Sequence, residues 1–125
     1  MNLLRDLSLV AAGGALGASL RYLLLVLSGR FGLLPWWSTL TANLLGCLLL
    51  GALLELLPTR EWRLLITTGC LGALTTFSTL IWEQQLIAHS GKPGWSLGYV
   101  ALSVLAGLAC FLLGRQLALW SSAGS

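Results

Sequence analysis

Five consecutive positions carry most of the chemistry this chain can offer. Thr75, Thr76, Ser78 and Thr79 put four hydroxyls around Phe77, directly after the flexible stretch Gly72-Ala73-Leu74 and inside an otherwise apolar segment. Hydroxyls of this kind compete with the backbone for hydrogen bonds. In lipid, every N–H and C=O must find a partner within the protein. The run therefore reads as a helix broken near mid-membrane, with freed carbonyls and hydroxyls turned toward a site. The other arrangement these residues allow is a continuous helix whose hydroxyls bond back to carbonyls one turn earlier.

Further polar groups stand at helical spacing elsewhere. Thr39, Asn43 and Gly46/Cys47 share one face, so the Asn43 amide must find a partner in protein or in a pore. Gly13, Gly17 and Arg21 recur every fourth residue, a face for close helix contact with an arginine one turn beyond. An arginine within a span marks a function or a buried partner, although from near a segment end it can also snorkel. Tyr99, Ser103, Gly107 and Gly114 fall on one side of the last segment. No nucleophile, base and orienting group cluster, and the single histidine, His89, stands by a loop. An enzyme is not expected.

Composition dictates the elements that must hold these residues. The chain has 125 residues, of which 57% are hydrophobic and 9% charged, and its mean hydropathy is +0.88. Soluble domains carry about 25% charged residues, so this is an integral membrane protein in a lipid bilayer, and one domain (1–125) by length. Four apolar segments run over about 7–27, 36–57, 62–89 and 95–120, each near the roughly 20 residues a membrane helix needs. Pro35 and Pro58 punctuate the second, Ser90-Gly91-Lys92-Pro93-Gly94 closes the third, and Ser121 to Ser125 forms a small polar tail expected to be disordered. Trp36, Trp37, Trp62, Trp95 and Trp120 mark segment ends, as an interfacial belt would. No cleavable leader is expected before the first segment. Cys47, Cys70 and Cys110 lie in apolar runs without metal-ligand spacing and read as small buried residues.

Four spans place both ends of the chain on one side. Arg5, Arg60, Arg63 and Arg115 belong to that side, and Arg21, Arg30 and Lys92 to the other. Four against three gives almost no positive-inside bias. The balance allows insertion in both orientations, which would let identical subunits pair antiparallel across a two-fold axis in the membrane plane; the other arrangement open is a single topology fixed by one or two further features. The net charge of +3 is scattered over loops and ends, without the basic patch that nucleic acid requires.

Three stretches in order resemble the signatures of the CrcB/Fluc family of fluoride channels. They are Gly13-Gly14-Ala15-Leu16-Gly17-Ala18-Ser19-Leu20-Arg21-Tyr22, then Thr39-Leu40-Thr41-Ala42-Asn43-Leu44-Leu45-Gly46, then Glu61-Trp62-Arg63 with Thr67 to Thr79. The resemblance spans all four segments. It implies an all-α dual-topology homodimer with two pores, passive and selective for fluoride, in a prokaryotic inner membrane. Such a channel releases fluoride that entered as hydrogen fluoride and ionised inside. The resemblance also implies a structural sodium ion held by the backbone carbonyls of Gly72 and Thr75 from both subunits.

Fluoride is small and strongly hydrated, so its pore must replace water with donors. Asn43, Thr39, Ser78, Thr79 and Ser103 can supply them, and Tyr99 corresponds by resemblance to a pore-lining tyrosine. Arg21 corresponds to an arginine that attracts anions at the entrance. Phe77 matches the first of two family phenylalanines whose positive ring edges hold the anion. The second position holds Leu80, so either one ring per pore suffices or this subunit pairs with a different one as a heterodimer. Two other functions compete with a channel. A four-helix drug/proton antiporter needs a mid-membrane carboxylate, normally in its first helix, where this chain has none; Glu83 is the better candidate and Glu55 lies near a segment end. A non-conducting partner subunit would have lost the polar pore residues, which are present.

Overall fold

The computed structural model describes residues 2–123, and all of its regular elements are helical. Helix α1 runs Leu3–Arg30 and α2 runs Pro35–Leu56, with Pro35 in the first turn, where its missing N–H costs nothing. A short turn, α3 (Arg60–Trp62), leads into a π-helix over Arg63–Leu71. Then come α4 (Gly72–Leu74), α5 (Phe77–His89) and α6 (Pro93–Ala123). Four segments, Leu3–Arg30, Pro35–Leu56, Arg60–His89 and Pro93–Ala123, are long and apolar enough to cross a membrane. Three of them begin a few residues earlier than the sequence suggests, because Asn2, Thr59 and Pro93 start helices ahead of the apolar runs. The C-terminal end also differs from expectation. Ser121 to Ala123 continue α6, with the Ser121 and Ser122 hydroxyls donating to the Ala118 carbonyl, and residues 124–125 lie outside the described range.

Two tight helix pairs make the frame. In the first, α1 lies along the π-helix so closely that a Cβ on Gly13 would overlap the Leu65 carbonyl oxygen, and one on Gly17 the Cys70 carbonyl oxygen. Gly69 answers from the other side, where a Cβ would come 2.8 Å from the Val10 carbonyl oxygen. In the second pair, Gly51 of α2 abuts the Phe111 carbonyl and Gly114 of α6 abuts the Leu48 carbonyl. Small residues at such contacts let backbones approach where lipid gives no hydrophobic drive to associate. The Gly13/Gly17 stripe is thus a packing device.

Ion pairs tie the end near both chain termini. Arg60 grips Asp6 with two hydrogen bonds of 2.9 and 2.7 Å, Arg5 stands 3.4 Å from Glu61, and Arg115 donates to Glu55 at 2.8 Å. Exposed pairs contribute little individually. Their consequence is electrostatic: three of the four arginines at this end are matched by acids, whereas Arg21, Arg30 and Lys92 have no carboxylate partner among the described residues.

Gly17→Ala should lower the thermal stability of the protein in detergent by about 1–3 kcal/mol, since the added methyl must push backbone aside. Gly14→Ala, where a Cβ meets nothing within 4 Å, should leave it unchanged or slightly raised. Equal melting of the two variants would contradict the close α1 contact.

Candidate functional site

Between α4 and α5 the backbone leaves the helix for two residues. Thr75 (φ −78°, ψ 150°) and Thr76 (φ −151°, ψ 116°) are extended. Both arrangements open to the hydroxyl run occur side by side. Thr75 bonds back one turn, with its hydroxyl and its N–H both donating to the Leu71 carbonyl at 3.0 Å. Thr76 turns out of the helix, and its hydroxyl caps α5 by accepting from the Thr79 N–H at 3.3 Å. That hydroxyl also donates to Thr79 Oγ1 at 3.0 Å and lies 3.3 Å from Ser78 Oγ.

Asn43 holds the excursion open from α2. Its Oδ1 accepts the Thr76 N–H at 2.7 Å and its Nδ2 donates to the Thr76 carbonyl at 3.3 Å. The amide therefore pairs with both backbone groups of one residue, as a neighbouring strand would. An unbroken helix would give the Thr76 N–H to the Gly72 carbonyl. Here that donor is taken by Asn43, and no backbone N–H of the described residues donates to the Thr75 carbonyl. Carbonyl oxygens released in this way are hard ligands suited to a cation. Nδ2 keeps a second hydrogen beyond the one given to Thr76.

An open cavity of about 310 Å³ lies against this point, lined by Asn43, Gly72, Thr75, Thr76, Phe77 and Ser103 among others. Phe77 and Leu80 both line it, but Phe77 is 68% exposed whereas Leu80 is 3% exposed and packed with Leu40 and Tyr99. The two positions that resemblance pairs as ring sites thus differ in kind here. One presents a ring to the open face, and the other fills the core beneath it.

A second polar group lies one turn further along the same three helices. Thr39 precedes Asn43 by four residues on α2, Glu83 follows Thr79 by four on α5, and Tyr99 precedes Ser103 by four on α6. Thr39 Oγ1 donates to Glu83 Oε1 at 2.8 Å and the Tyr99 hydroxyl to Glu83 Oε2 at 2.7 Å, all three residues being buried. Ser103 is buried as well and spends its hydrogen on the Tyr99 carbonyl at 2.8 Å. Asn43, Thr76, Ser78 and Thr79 are linked by hydrogen bonds into one polar layer, and Thr39, Tyr99 and Ser103 gather at Glu83 and the Tyr99 carbonyl in a second one turn away, so that N–H and O–H groups follow one another in a column along α2, α5 and α6. A column of donors suits an anion. The signal in the sequence for Glu83 is its place four residues after Thr79, on the face of the hydroxyl run.

Arg21 lies apart from this column. It is half-buried and makes no ion pair or hydrogen bond among the described residues. Gly17, one turn earlier, touches Cys70 and Leu74. A rise of about 5.4 Å per turn therefore sets Arg21 level with the extended residues. The three cysteines are free and half-buried, and the described residues hold no cluster of His, Cys, Asp and Glu with metal-site character.

Residues 8–115 match the family model described as CrcB-like protein, Camphor Resistance (CrcB). The chain belongs to the CrcB family. Among CrcB-family relatives, a protein of Salinibacter ruber named fluoride-specific ion channel FluC is 43% identical, covering 87% of this chain and 92% of its own. Proteins of the same name from Leptospira interrogans and Chloroflexus aurantiacus are 40% and 41% identical, covering 86% and 89% of this chain and 90% and 93% of theirs. CrcB proteins are membrane ion channels, not enzymes, and with four segments capable of spanning, this one is a multi-pass membrane protein.

Asn43→Ala should strip the Thr76 N–H of its acceptor and cost about 1–3 kcal/mol of stability. Amide hydrogen exchange at Thr76 should accelerate while the α1 amides facing the π-helix keep their protection. A Thr76 amide that stays protected in the variant would remove Asn43 from this role.

Proposed function

We propose that this protein is a passive, selective fluoride channel. The observation that carries the reading is the column of donors along α2, α5 and α6, beside a cavity walled by the exposed Phe77 ring. Fluoride's hydration is replaced by hydroxyls and an amide, with no fixed cation in the column. The relatives' printed name supports the choice of ion.

In this reading Asn43 has two tasks, since one hydrogen of Nδ2 clamps Thr76 and the other meets the ion. Ser78, Thr79, Thr39, Tyr99 and Ser103 continue the path, and Phe77 turns its positive ring edge to the anion. Leu80 keeps the wall dry from behind, so one ring per pore suffices. The unmatched positive groups Arg30 and Lys92 raise the local anion concentration at their end, and Arg21 adds positive charge at the level of Thr75 and Thr76.

The channel works as an antiparallel homodimer in the inner membrane, each copy inserted in the opposite sense, with two pores through which cytoplasmic fluoride leaves. The exposed surface around Gly72 and Phe77 is the face a second copy covers. A sodium ion fits between the copies by the chemistry of its ligands: the Gly72 and Thr75 carbonyls of each subunit lack helical donors and can turn to a hard cation. The ion would neutralise inward-pointing carbonyl dipoles and lock the two breaks together.

Expression in a bacterium lacking its own fluoride exporter should restore growth in millimolar fluoride, and Phe77→Ile, expressed to the same level, should not. Failure of the unaltered chain to rescue would refute the proposal, and full rescue by Phe77→Ile would remove the ring from the path. Exchange of sodium for N-methylglucamine should lower the melting temperature of the purified dimer, corresponding to about 2.7 kcal/mol if sodium normally stands at 100 times its Kd. An unchanged melt would exclude the ion.

A further inference from the structure

Glu83 has no task in the path described so far. It is 7% exposed, both its oxygens accept hydroxyl hydrogens, and no cation pairs with it among the described residues. A carboxylate kept inside a span at that cost marks a function. Its two partners are the Thr39 and Tyr99 hydroxyls, which the channel reading assigns to the anion. A hydroxyl carries one hydrogen, so each can serve Glu83 or a passing ion, never both at once.

We propose that Glu83 is the selectivity-determining residue, a tethered stand-in for the permeating anion: its carboxylate holds the Thr39 and Tyr99 O–H donors at rest, and an ion advances by taking them from it. The inference rests on the fluoride-channel reading and deepens it. Hydrogen bonds of 2.7 and 2.8 Å from neutral hydroxyls to a carboxylate belong to the strong, charge-assisted kind. Exchange is balanced only for an anion that attracts O–H hydrogens as strongly as a carboxylate does. Fluoride, compact and of high charge density, meets that condition. Chloride, larger and with diffuse charge, gives back less than it breaks. The packed side chains of Leu40 and Leu80 leave the displaced groups little water to fall back on, which keeps the difference large. Selectivity then arises from competition for two donors already in use.

The test uses the full chain in liposomes, with two readouts. Glu83→Gln replaces one acceptor oxygen by an NH2 donor and frees a hydroxyl. The ratio of fluoride to chloride release should fall roughly tenfold to a hundredfold, the value of one charged hydrogen bond, mainly through faster chloride. Glu83→Asp, which keeps the charge on a shorter stem, should recover part of that ratio. Infrared difference spectra of carboxyl-13C-Glu protein should show the carboxylate stretch moving when sodium fluoride is added and staying still with sodium chloride, with the moving band missing in Glu83→Gln. An unchanged release ratio in a folded Glu83→Gln protein would overturn the proposal. So would a carboxylate band indifferent to fluoride in the unaltered protein, and this second measurement decides the matter even if Glu83→Gln fails to fold. Loss of the channel reading would look different, as unaltered protein that releases no fluoride.

Discussion

One amide holds the functional architecture open. By pairing with both the N–H and the C=O of Thr76, Asn43 supplies from a side chain what the helix would have supplied from its own backbone. Without it, two extended residues inside an apolar segment would leave backbone groups unsatisfied where lipid offers no partner. Everything of functional interest follows from that substitution. The Gly72 carbonyl loses its helical donor, α5 starts afresh with Thr76 as its cap, and Phe77 is carried onto an open face.

The rest of the fold keeps α2 and α5 in register so that this pair can form. Glycine contacts bring α1 against the π-helix and α2 against α6 at backbone distance, and ion pairs join the segment ends near the termini. With α2 and α6 fixed to each other, Thr39, Asn43, Tyr99 and Ser103 acquire a common wall. The first turns of α5 then set Thr79 and Glu83 opposite them. Helical spacing of four on three elements thereby becomes a stack of two polar layers with Leu80 wedged between aliphatic and aromatic neighbours.

Much of this was legible in the residue pattern, for identifiable reasons. Span number followed from hydropathy and from tryptophans at segment ends, because lipid imposes both. The spacing of Thr39 with Asn43 and of Tyr99 with Ser103 predicted shared faces, and the Gly13/Gly17 stripe predicted a close contact, though not that its partner would be a π-helix. The π register has no mark in Arg63–Leu71 that distinguishes it from an α-helix. Nor could spacing reveal which acceptor would capture the hydroxyls. Thr39 and Tyr99 read as free donors in the sequence, and only the packing of α5 against α2 and α6 shows both committed to Glu83. The contrast between Phe77 and Leu80 is of the same kind, since residues three apart lie on neighbouring strips of one helix face, and only the packing of Leu80 against Leu40 and Tyr99 sets the two apart.

The proposed function requires that this chain alone pass fluoride and discriminate against chloride. Its most direct test is ion release from liposomes containing only the purified chain, followed with fluoride- and chloride-selective electrodes. Rapid fluoride release with negligible chloride release is the predicted result. Well-folded protein that releases neither ion, or both at similar rates, would contradict it.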